Sequence, residues 1–400
     1  MLIKKRNGED LNAQKVEKPL ISKVPLNREV KSTFHKEIAQ IKTANLEPKF
    51  VDFKNDLQHY KIGEIPVIHR ENIDNDLFEL TYIFDFAQNA DPILGLALTG
   101  FLNYVGTREY TPKEIKQEFY KLGCTYRVRG TRNIDRFYIT LKGLNENFEA
   151  SLSLFEHLLE EATGTDGALK KLVDRILKQR EDSIKDKDHI LWNGLCNYAV
   201  FGKKNPANQL FSSEELKKIK AEDLNNTIQT FTAYPHRITY YGKYSKAQLS
   251  ESIKKYHLVE KMRKKPKIVK FIEQDYEQPK VFWSHYDMLQ TEVITLAKAM
   301  PYDAKKAAII RLFNEYFGDG MNSIVFQEIR EAQGLAYSVF SEFEQTDKKE
   351  NANYLYSYIG VQADKQKEAL SSMFHLMQKL PESEQAFEIA KNAILKKLKS

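Results

Sequence analysis

The sequence predicts an α+β protein made of two homologous units, each an antiparallel sheet with helices packed on one face. Alternating runs typical of half-buried strands stand between amphipathic stretches with helix-capping residues. The same order of elements starts again after about residue 267. A length of 400 residues allows two or three domains with separate cores.

Alternation of apolar residues indicates the strands of the first unit. The segment 77–86 has the clearest pattern, because aromatic and aliphatic side chains occupy every second position. Further strands are predicted at 63–69, 124–129, 134–141 and 237–241. We expect each to present one face to the core and one to solvent.

Helices of the first unit begin at capping residues. Asp91 followed by Pro92 suits an N-cap with proline at the first helical position, and predicts a helix to about Val105. Thr111 and Ser212 each precede a Glu by three residues, which is the capping-box pattern. Other helices are predicted at 147–161, at 167–187 and from residue 245.

A basic run with a proline, KMRKKPK at 261–267, is typical of a solvated linker. Beyond it, strands are predicted at 268–272, 280–286, 291–297 and 335–343, and helices at 303–317 and 321–333. The predicted organisation is a polar linker or docking arm at 1–45, a first domain at 46–262 and a second domain at 267–400.

An internal repeat connects the two predicted domains. FLNYVG at 101–106 matches FNEYFG at 313–318, and Tyr126, after a Leu-Gly pair, parallels Tyr337. One duplicated unit of about 220 residues accounts for both matches. On this scale the second copy ends before a counterpart of residues 183–257, so we expect it to be C-terminally incomplete.

The most informative stretch is 313–343, FNEYFGDGMNSIVFQEIREAQGLAYSVFSEF. A short helix followed by a strand would place Arg330 and Tyr337 on either side of a turn at Gly334. Both side chains could then point into one cleft. A fixed cation beside a phenol suits holding a peptide carbonyl or stabilising a developing oxyanion.

The pattern FxxxR followed by GLAYSV, after FNEYFGDGMNS, resembles the fourth domain of the insulinase/pitrilysin-type zinc metallopeptidases, the inverzincins. The resemblance extends more weakly back to about residue 46. It implies an α/β roll of the metallopeptidase type and the C-terminal, non-zinc half of such an enzyme, with a third domain and part of a fourth. In that family an Arg and a Tyr reach the zinc site of the other half, and these positions are Arg330 and Tyr337. We expect Phe326 to pack beneath the pair, and Asn322 and Glu328 to shape the pocket.

The zinc motif of that family, His-x-x-Glu-His, precedes an aromatic-x-Gly-Thr turn. The turn is present at 104–107, but the motif positions hold Ala97, Gly100 and Phe101, none of which can ligate a metal. The nine histidines are dispersed, and the two cysteines allow no cysteine-based site. The chain is therefore expected to hold no cofactor, with Zn²⁺ in the missing N-terminal half.

Other classes of function receive less support from the sequence. There is no Gly-x-Ser-x-Gly elbow or phosphate-binding glycine loop, and a net charge of +6 is mild for this length. One possible nucleic-acid surface combines basic residues with aromatic ones: Arg127, Arg129, Arg132, Tyr126, Phe137 and Tyr138. An exposed strand face explains these arginines equally well, so we expect no nucleic-acid partner.

The resemblance implies the substrate-enclosing half of a zinc endopeptidase for peptides or unfolded polypeptides, inactive alone. Its expected partners are a zinc-bearing half, fused or separate, and a peptide substrate. No apolar run is long enough for a transmembrane helix, and a periplasmic location is expected only by analogy with exported members. The alternative is a non-catalytic structural or binding subunit, like the core subunits of the cytochrome bc1 complex. The sequence leaves the substrate and cleavage preference open.

Overall fold

The computed structural model describes residues 30–42, 50–87, 90–131, 136–208, 210–259, 261–346 and 349–399. The chain divides into two compact units. The larger unit is Pro48–Asp287 with Thr346–Asn351, and the smaller unit is Met1–Glu47, Met288–Gln345 and Ala352–Ser400. Each combines a sheet with helices, which confirms the α+β class. The predicted domain boundaries stay predictions.

The described ranges contain strands, α-helices, and shorter π- and 3₁₀-helical segments. The strands are β1 Gln58–Ile62, β2 Ile65–Glu71, β3 Leu77–Phe84, β4 Thr125–Thr131, β5 Arg136–Leu144, β6 Arg237–Gly242, β7 Gln290–Pro301, β8 Ala336–Glu344 and β9 Ala352–Gln362. The α-helices are α1 Thr33–Gln40, α2 Pro92–Gly95, α3 Pro112–Lys121, α4 Phe148–Glu160, α5 Asp166–Ser183, α6 Asn197–Phe201, α7 Ser213–Lys218, α8 Ala221–Gln229, α9 Lys246–Tyr256, α10 Ala307–Phe313, α11 Gln366–Gln378 and α12 Glu384–Lys399. The π-helical segments are Leu96–Gly100, His189–Cys196, Asn314–Gly318 and Phe326–Ala332; the 3₁₀ segments are Phe101–Tyr104, Asn145–Asn147, Pro206–Asn208, Phe231–Ala233, Ala304–Lys306 and Ala363–Lys365. Among the helices of these ranges, none has the length and apolar character needed to span a bilayer.

The larger unit contains a six-stranded sheet in the order β1-β2-β6-β3-β5-β4. All neighbours are antiparallel except β2 and β6, which are parallel. The predicted apolar face of β3 is buried under the helices and consists of Phe78, Leu80, Tyr82 and Phe84. Phe86, just beyond β3, belongs to the same core. Alternation in the sequence therefore identified the covered face correctly.

The smaller unit contains a three-stranded antiparallel sheet in the order β7-β9-β8. This order repeats β3-β5-β4 of the larger unit. The helix after the central strand also repeats, since α11 follows β9 as α4 follows β5, and both helices have 13 residues. The topology thus confirms the duplication indicated by the repeated hexapeptides.

Two strand predictions were wrong, and the bounds of a third were displaced. The strand expected at 63–69 is mostly β2, and Gly63 lies in the preceding turn of the β1–β2 hairpin at φ +57°, a conformation that glycine adopts without steric cost. The segments 268–272 and 280–286 form no strand. In the part of the chain that the structure describes, no strand pairs with either segment.

The segment 268–287 belongs to the larger unit and bonds instead to irregular and helical residues of the same unit. Gln274 N–H donates to the Val200 carbonyl over 2.7 Å, and Tyr286 Oη donates to the Lys185 carbonyl over 2.6 Å. These bonds satisfy backbone and phenol groups without a sheet partner.

The predicted helix caps are present. Asp91 accepts a hydrogen bond from Ile93 N–H, with Pro92 at the first position of α2. Thr111 with Glu114, and Ser212 with Glu215, form reciprocal capping boxes. The helix after Pro92 passes through π and 3₁₀ turns before it ends at Tyr104.

A buried polar cluster lies within the core of the larger unit. Tyr82 Oη donates to Glu156 Oε1 over 2.6 Å, and His257 Nδ1 is 3.0 Å from Glu156 Oε2. His257 Nε2 lies 3.0 Å from His236 Nε2, and His236 Nδ1 lies 2.8 Å from the Tyr234 carbonyl oxygen. The cluster therefore connects β3, α4, the end of α9 and the residue before β6.

Hydrogen-bond donors and acceptors determine how many protons the cluster holds. The Tyr234 carbonyl can only accept, so His236 Nδ1 carries a proton. Burial first, and the nearby His257 second, lower the pKa of His236 to about 4, so its Nε2 accepts a proton from His257. His257 Nδ1 and Glu156 Oε2 form the remaining hydrogen bond of the cluster.

This cluster predicts acid sensitivity of the larger unit. The pKa of His236 falls from its ordinary 6.5 to about 4 on folding, so between these values the unfolded chain binds a proton that the folded chain does not. This contribution to the free energy of unfolding is fully present above pH 6.5. It is lost as the pH falls toward 4, and the loss is on the order of 3 kcal/mol. Urea unfolding as a function of pH measures this loss.

His236→Gln should reduce the pH dependence of the unfolding free energy. His285→Gln is the matched control, because His285 is exposed and outside regular structure. An equal pH dependence in wild type and His236→Gln would contradict the assignment.

Candidate functional site

The helix that carries Arg330 is shorter and wider than predicted. Helical residues begin at Ile324 and continue as the π-helical segment Phe326–Ala332. Ile324, Ile329 and Ala332 are buried and attach this segment to the core of the smaller unit. Phe326 and Arg330, four residues apart, are left on the less buried side.

A tight reversal connects this helix to β8. Gly334 has φ +59°, and its N–H donates to the Arg330 carbonyl over 3.1 Å. Leu335 N–H donates to the Ile329 carbonyl over 3.0 Å. These bonds satisfy carbonyls at the helix end, as in glycine-terminated helices generally. They also determine where β8 starts relative to Arg330.

Tyr337 is the extra residue of a β-bulge. Ala336 is opposite Val361 and Ser338 is opposite Gly360, so two positions on β8 face one step of β9. A bulge re-aims the inserted side chain. The Tyr337 side chain is 75% exposed, on an edge strand that is otherwise packed against the core.

The structure brings Phe326, Arg330 and Tyr337 together. The Arg330 guanidinium carbon lies 4.7 Å from the centre of the Phe326 ring and 5.8 Å from the centre of the Tyr337 ring. Both are cation–π distances, and such contacts favour the more weakly hydrated guanidinium over an ammonium group. Arg330 and Tyr337 are thus an exposed cation and an exposed phenol, held by the Phe326 ring. We call these three residues the Arg330 stack.

The other predicted site residues lie close to the stack along the chain. Asn322 is exposed in the turn before the helix, and Glu328 is half-buried on the π-helical segment. Glu331 Oε1 is 3.6 Å from Arg330 Nε, with 41% of the Arg330 side chain exposed. Such a surface pair contributes little, so Arg330 remains available to a ligand. Pocket-shaping roles for Asn322 and Glu328 stay predictions.

The positions of the degenerate zinc motif are filled by packing. Ala97 and Phe101 are fully buried in the core of the larger unit. A Cβ at Gly100 would contact the Leu172 side chain at 3.3 Å. At the parallel positions of the smaller unit, Leu312 and Phe313 pack on its core, whereas Ile309 is exposed. Within the described ranges no group of three or more His, Cys, Asp or Glu residues could hold a metal ion.

The two cysteines do not resemble nucleophiles. Cys124 is buried, and burial raises its pKa. Burial likewise raises the pKa of Cys196 to about 11. Both thiols are therefore protonated near neutral pH, whereas thiol nucleophiles need a lowered pKa.

Comparison with known families identifies the C-terminal part of the sequence. Residues 218–394 match the family model of the peptidase M16 inactive domain. This part of the chain is similar to the peptidase M16 inactive domain. This confirms the resemblance to the non-zinc half of the insulinase-type peptidases. No curated protein matches the sequence significantly.

Solved structures share the fold of this chain. The peptidase M16 inactive domain from Pseudomonas fluorescens is 19% identical with a TM-score of 0.69, over 86% of this chain and 84% of that one. The ferredoxin protease FusC, in complex with Arabidopsis ferredoxin, is 13% identical with a TM-score of 0.71, over 97% of this chain and 42% of that one. The periplasmic protease PqqL from Escherichia coli is 14% identical with a TM-score of 0.69, over 92% of this chain and 44% of that one. This chain thus spans less than half the length of the two proteases.

Two features of the structure escaped sequence reasoning. The bulge at Tyr337 has no strong sequence signal, because the alternation of β8 continues through it. The cluster of Glu156, His236 and His257 joins residues up to 101 positions apart, so spacing could not reveal it. The Arg330–Tyr337 pair was singled out by the resemblance of FxxxR and GLAYSV to the family pattern, with the two residues on either side of one glycine turn.

The turn predicts a graded response to substitution at Gly334. Gly334→Ala should destabilise the smaller unit by about 1 kcal/mol or more, because alanine pays a steric cost at φ +59°. Gly334→Asn should cost less, since asparagine tolerates this conformation better. Urea unfolding distinguishes the two, and equal stability of all three proteins would show that the turn is unstrained.

Proposed function

We propose that this chain is the substrate-enclosing half of a zinc metalloendopeptidase and that it supplies Arg330 and Tyr337 to the active site of a zinc-bearing half. The observation that carries the proposal is the Arg330 stack, with guanidinium-to-ring distances of 4.7 and 5.8 Å. An exposed, pre-positioned cation and phenol have no structural need to lie side by side. Their arrangement suits recognition of a peptide carbonyl.

Arg330 would anchor the substrate backbone. Its guanidinium is always charged, and a ring at 4.7 Å restricts its orientation before substrate arrives. The N–H groups that point away from Phe326 can donate to a peptide carbonyl oxygen. A cation in this position also favours the negative charge that develops on that oxygen during attack.

Tyr337 would donate its phenolic proton as a hydrogen bond to the same developing oxyanion. Its ring is held 5.8 Å from the Arg330 guanidinium, and the bulge turns it outward from the sheet. A hydroxyl that strengthens its hydrogen bond as charge develops lowers the barrier without binding the ground state more tightly.

The remaining chemistry belongs to residues outside this chain. Zinc in a zinc-bearing half would activate the attacking water and polarise the scissile carbonyl. Support comes from FusC and PqqL, which are both proteases. The part of each that this chain matches is less than half of its length. The substrate class proposed is peptides or unfolded polypeptides.

A non-catalytic scaffold of the same fold is the second candidate. The fully packed motif positions Ala97, Gly100 and Phe101 suit it as well as they suit a peptidase half. The exposed stack favours the peptidase half, because a scaffold gains nothing from holding Arg330 in place.

Peptide hydrolysis on mixing provides the first test. An unstructured quenched-fluorescent peptide should remain intact with this chain alone. When the zinc-bearing half is added, the peptide should be cleaved faster than by the zinc-bearing half alone. Cleavage by this chain alone would overturn the proposal. No gain on mixing would favour the scaffold.

Substitutions in the stack provide the second test, in the assembled enzyme. Tyr337→Phe keeps the ring beside Arg330 and removes only the donor, so kcat should fall by about 100-fold with little change in KM. Arg330→Ala should reduce kcat/KM at least as much, and Arg330→Lys should be intermediate because lysine stacks less well. Glu331→Gln is the matched control and should retain activity, because its ion pair is exposed. Unchanged turnover in Tyr337→Phe and Arg330→Ala would remove both residues from the mechanism.

A further inference from the structure

The six-stranded sheet has an excess of positive charge on the face away from its helices, which we call the open face. Residues directly opposite each other on paired strands share a face, so the register identifies its members. Asp74 joins this face from the turn before β3, because its carboxylate accepts from Tyr241 Oη over 2.9 Å. Among the described residues, the charged side chains of the open face are seven cations and three carboxylates: Lys61, Arg70, Arg127, Arg129, Arg136, Lys142, Arg237, Asp74, Glu79 and Asp85. The open face thus has four more cations than carboxylates, in a chain whose net charge is +6.

Ion pairs neutralise much of the charge in the middle of the open face. Asp85 accepts from Arg136 Nε at 2.9 Å and from Arg237 Nη1 at 2.6 Å. Lys142 Nζ lies 2.7 Å from Glu79 Oε2. These pairs connect β5, β3 and β6, which are neighbours in the sheet. An anionic ligand that binds the cations of the middle therefore has to displace a carboxylate.

The remaining four cations lie on either side of this middle. Lys61 and Arg70 are on β1 and β2, and Arg127 and Arg129 are on β4. In the part of the chain that the structure describes, none of the four forms an ion pair. We call Lys61 with Arg70 the first flank, and Arg127 with Arg129 the second flank.

The sheet order sets the distance between the two flanks. β2 and β4 are four steps apart in the order, and neighbouring strands are about 4.8 Å apart, so the flanks are separated by about 19 Å. A row of threonines, Thr140, Thr81 and Thr239, crosses the middle between them. These short, uncharged side chains offer an anion no counter-charge. Recognition of an anionic ligand therefore depends on the flanks.

The tyrosines of the open face favour a polypeptide over a nucleic acid. Tyr138 is opposite Arg129, and Tyr241 is opposite Arg70. Both tyrosines are half-buried, whereas base stacking needs exposed rings. A nucleic acid also has a phosphate at every nucleotide, so its backbone would have to compete with the carboxylates of the middle. A polypeptide can have acidic residues at two places only, which matches the two flanks.

We propose that the open face of the larger unit binds an unfolded acidic polypeptide, which crosses the strands and places carboxylates on both flanks. The contacts are ion pairs between side chains, and the backbone of the ligand pairs with no strand. Its two acidic segments have to be at least about six residues apart, because an extended chain spans about 3.3 Å per residue. This surface is distinct from the Arg330 stack and does not depend on the proposed peptidase function.

Two fluorescent peptides of equal composition test whether both flanks bind one ligand. In the split peptide, two Glu-Glu pairs are joined by a Gly-Ser spacer of about 12 residues, whose mean span is about 19 Å. In the block peptide, the four Glu residues are contiguous and the same Gly-Ser residues follow them. By fluorescence anisotropy at low ionic strength, the split peptide should bind the full 400-residue chain several-fold more tightly, because it engages both flanks at once. Equal binding of the two peptides would overturn the proposal.

Charge reversal on each flank locates the binding surface. Lys61→Glu with Arg70→Glu should weaken binding of the split peptide at least about tenfold, and so should Arg127→Glu with Arg129→Glu. Either double variant should also bind the split and block peptides equally, because only one flank remains. Where a Glu variant fails to fold, the Gln variant at the same positions should still remove the preference for the split peptide. A preference that persists in both double variants would place the binding elsewhere.

A matched control separates the flanks from net charge. Lys171→Glu with Lys217→Glu changes the net charge equally at exposed residues of α5 and α7, and should leave binding within about twofold. Thermal unfolding verifies that all the variants are folded. Losses as large in this control as in the flank variants would mean a non-specific effect of net charge, and would contradict the proposal.

A single-stranded thymidine pentamer tests the class of the partner, because its phosphates match the charge of the four Glu residues. The pentamer should bind more weakly than the split peptide. Tighter binding of the pentamer that both flank variants abolish would replace the polypeptide with a nucleic acid.

Because these measurements use the chain without a zinc-bearing half, they can fail while peptide hydrolysis on mixing succeeds. The converse result is equally distinguishable.

Discussion

The Arg330 stack depends on one reversal of the backbone. Gly334 adopts φ +59°, so only three residues separate the end of the helix at Ala332 from the start of β8 at Ala336. This brings Tyr337 back toward the last helical turn, and the bulge directs its ring outward. Without the reversal, a phenol seven residues beyond an arginine would have no reason to approach it. The backbone geometry therefore brings the two side chains together, and their chemistry can act only because of it.

Duplication explains why the two units share a topology, although only the smaller unit has the Arg330 stack. The hexapeptides at 101–106 and 313–318 both end in a glycine where a Cβ would overlap a backbone carbonyl, that of Tyr110 at Gly106 and that of Ser341 at Gly318. This close approach is common to both units. The helices before these glycines have no metal ligand at the zinc-motif positions, and Ala97, Phe101, Leu312 and Phe313 pack there on the cores of the two units. The two units have thus diverged around the same framework.

Polar groups in the larger unit are divided between its two sheet faces. On the covered face, Tyr82, Glu156, His257 and His236 satisfy one another, because an unpaired polar group there would cost considerable free energy. On the open face, Asp85 and Glu79 neutralise nearby cations through ion pairs with Arg136, Arg237 and Lys142.

Sequence alone determined the α+β class, the apolar face of β3, the helix caps and the duplication, because each follows from side-chain periodicity or from contacts within a few residues. It also singled out Arg330 and Tyr337, through the resemblance of the phrase around Gly334 to a known family. Tertiary structure decided the rest. Residues 280–286 have strand-like alternation but no partner strand to pair with, and alternation cannot supply one. The bulge at Tyr337 and the proton-sharing cluster of Glu156, His236 and His257 arise from the register of β8 on β9 and from contacts across the core. Both depend on residues far apart in the sequence, which only the folded chain brings together.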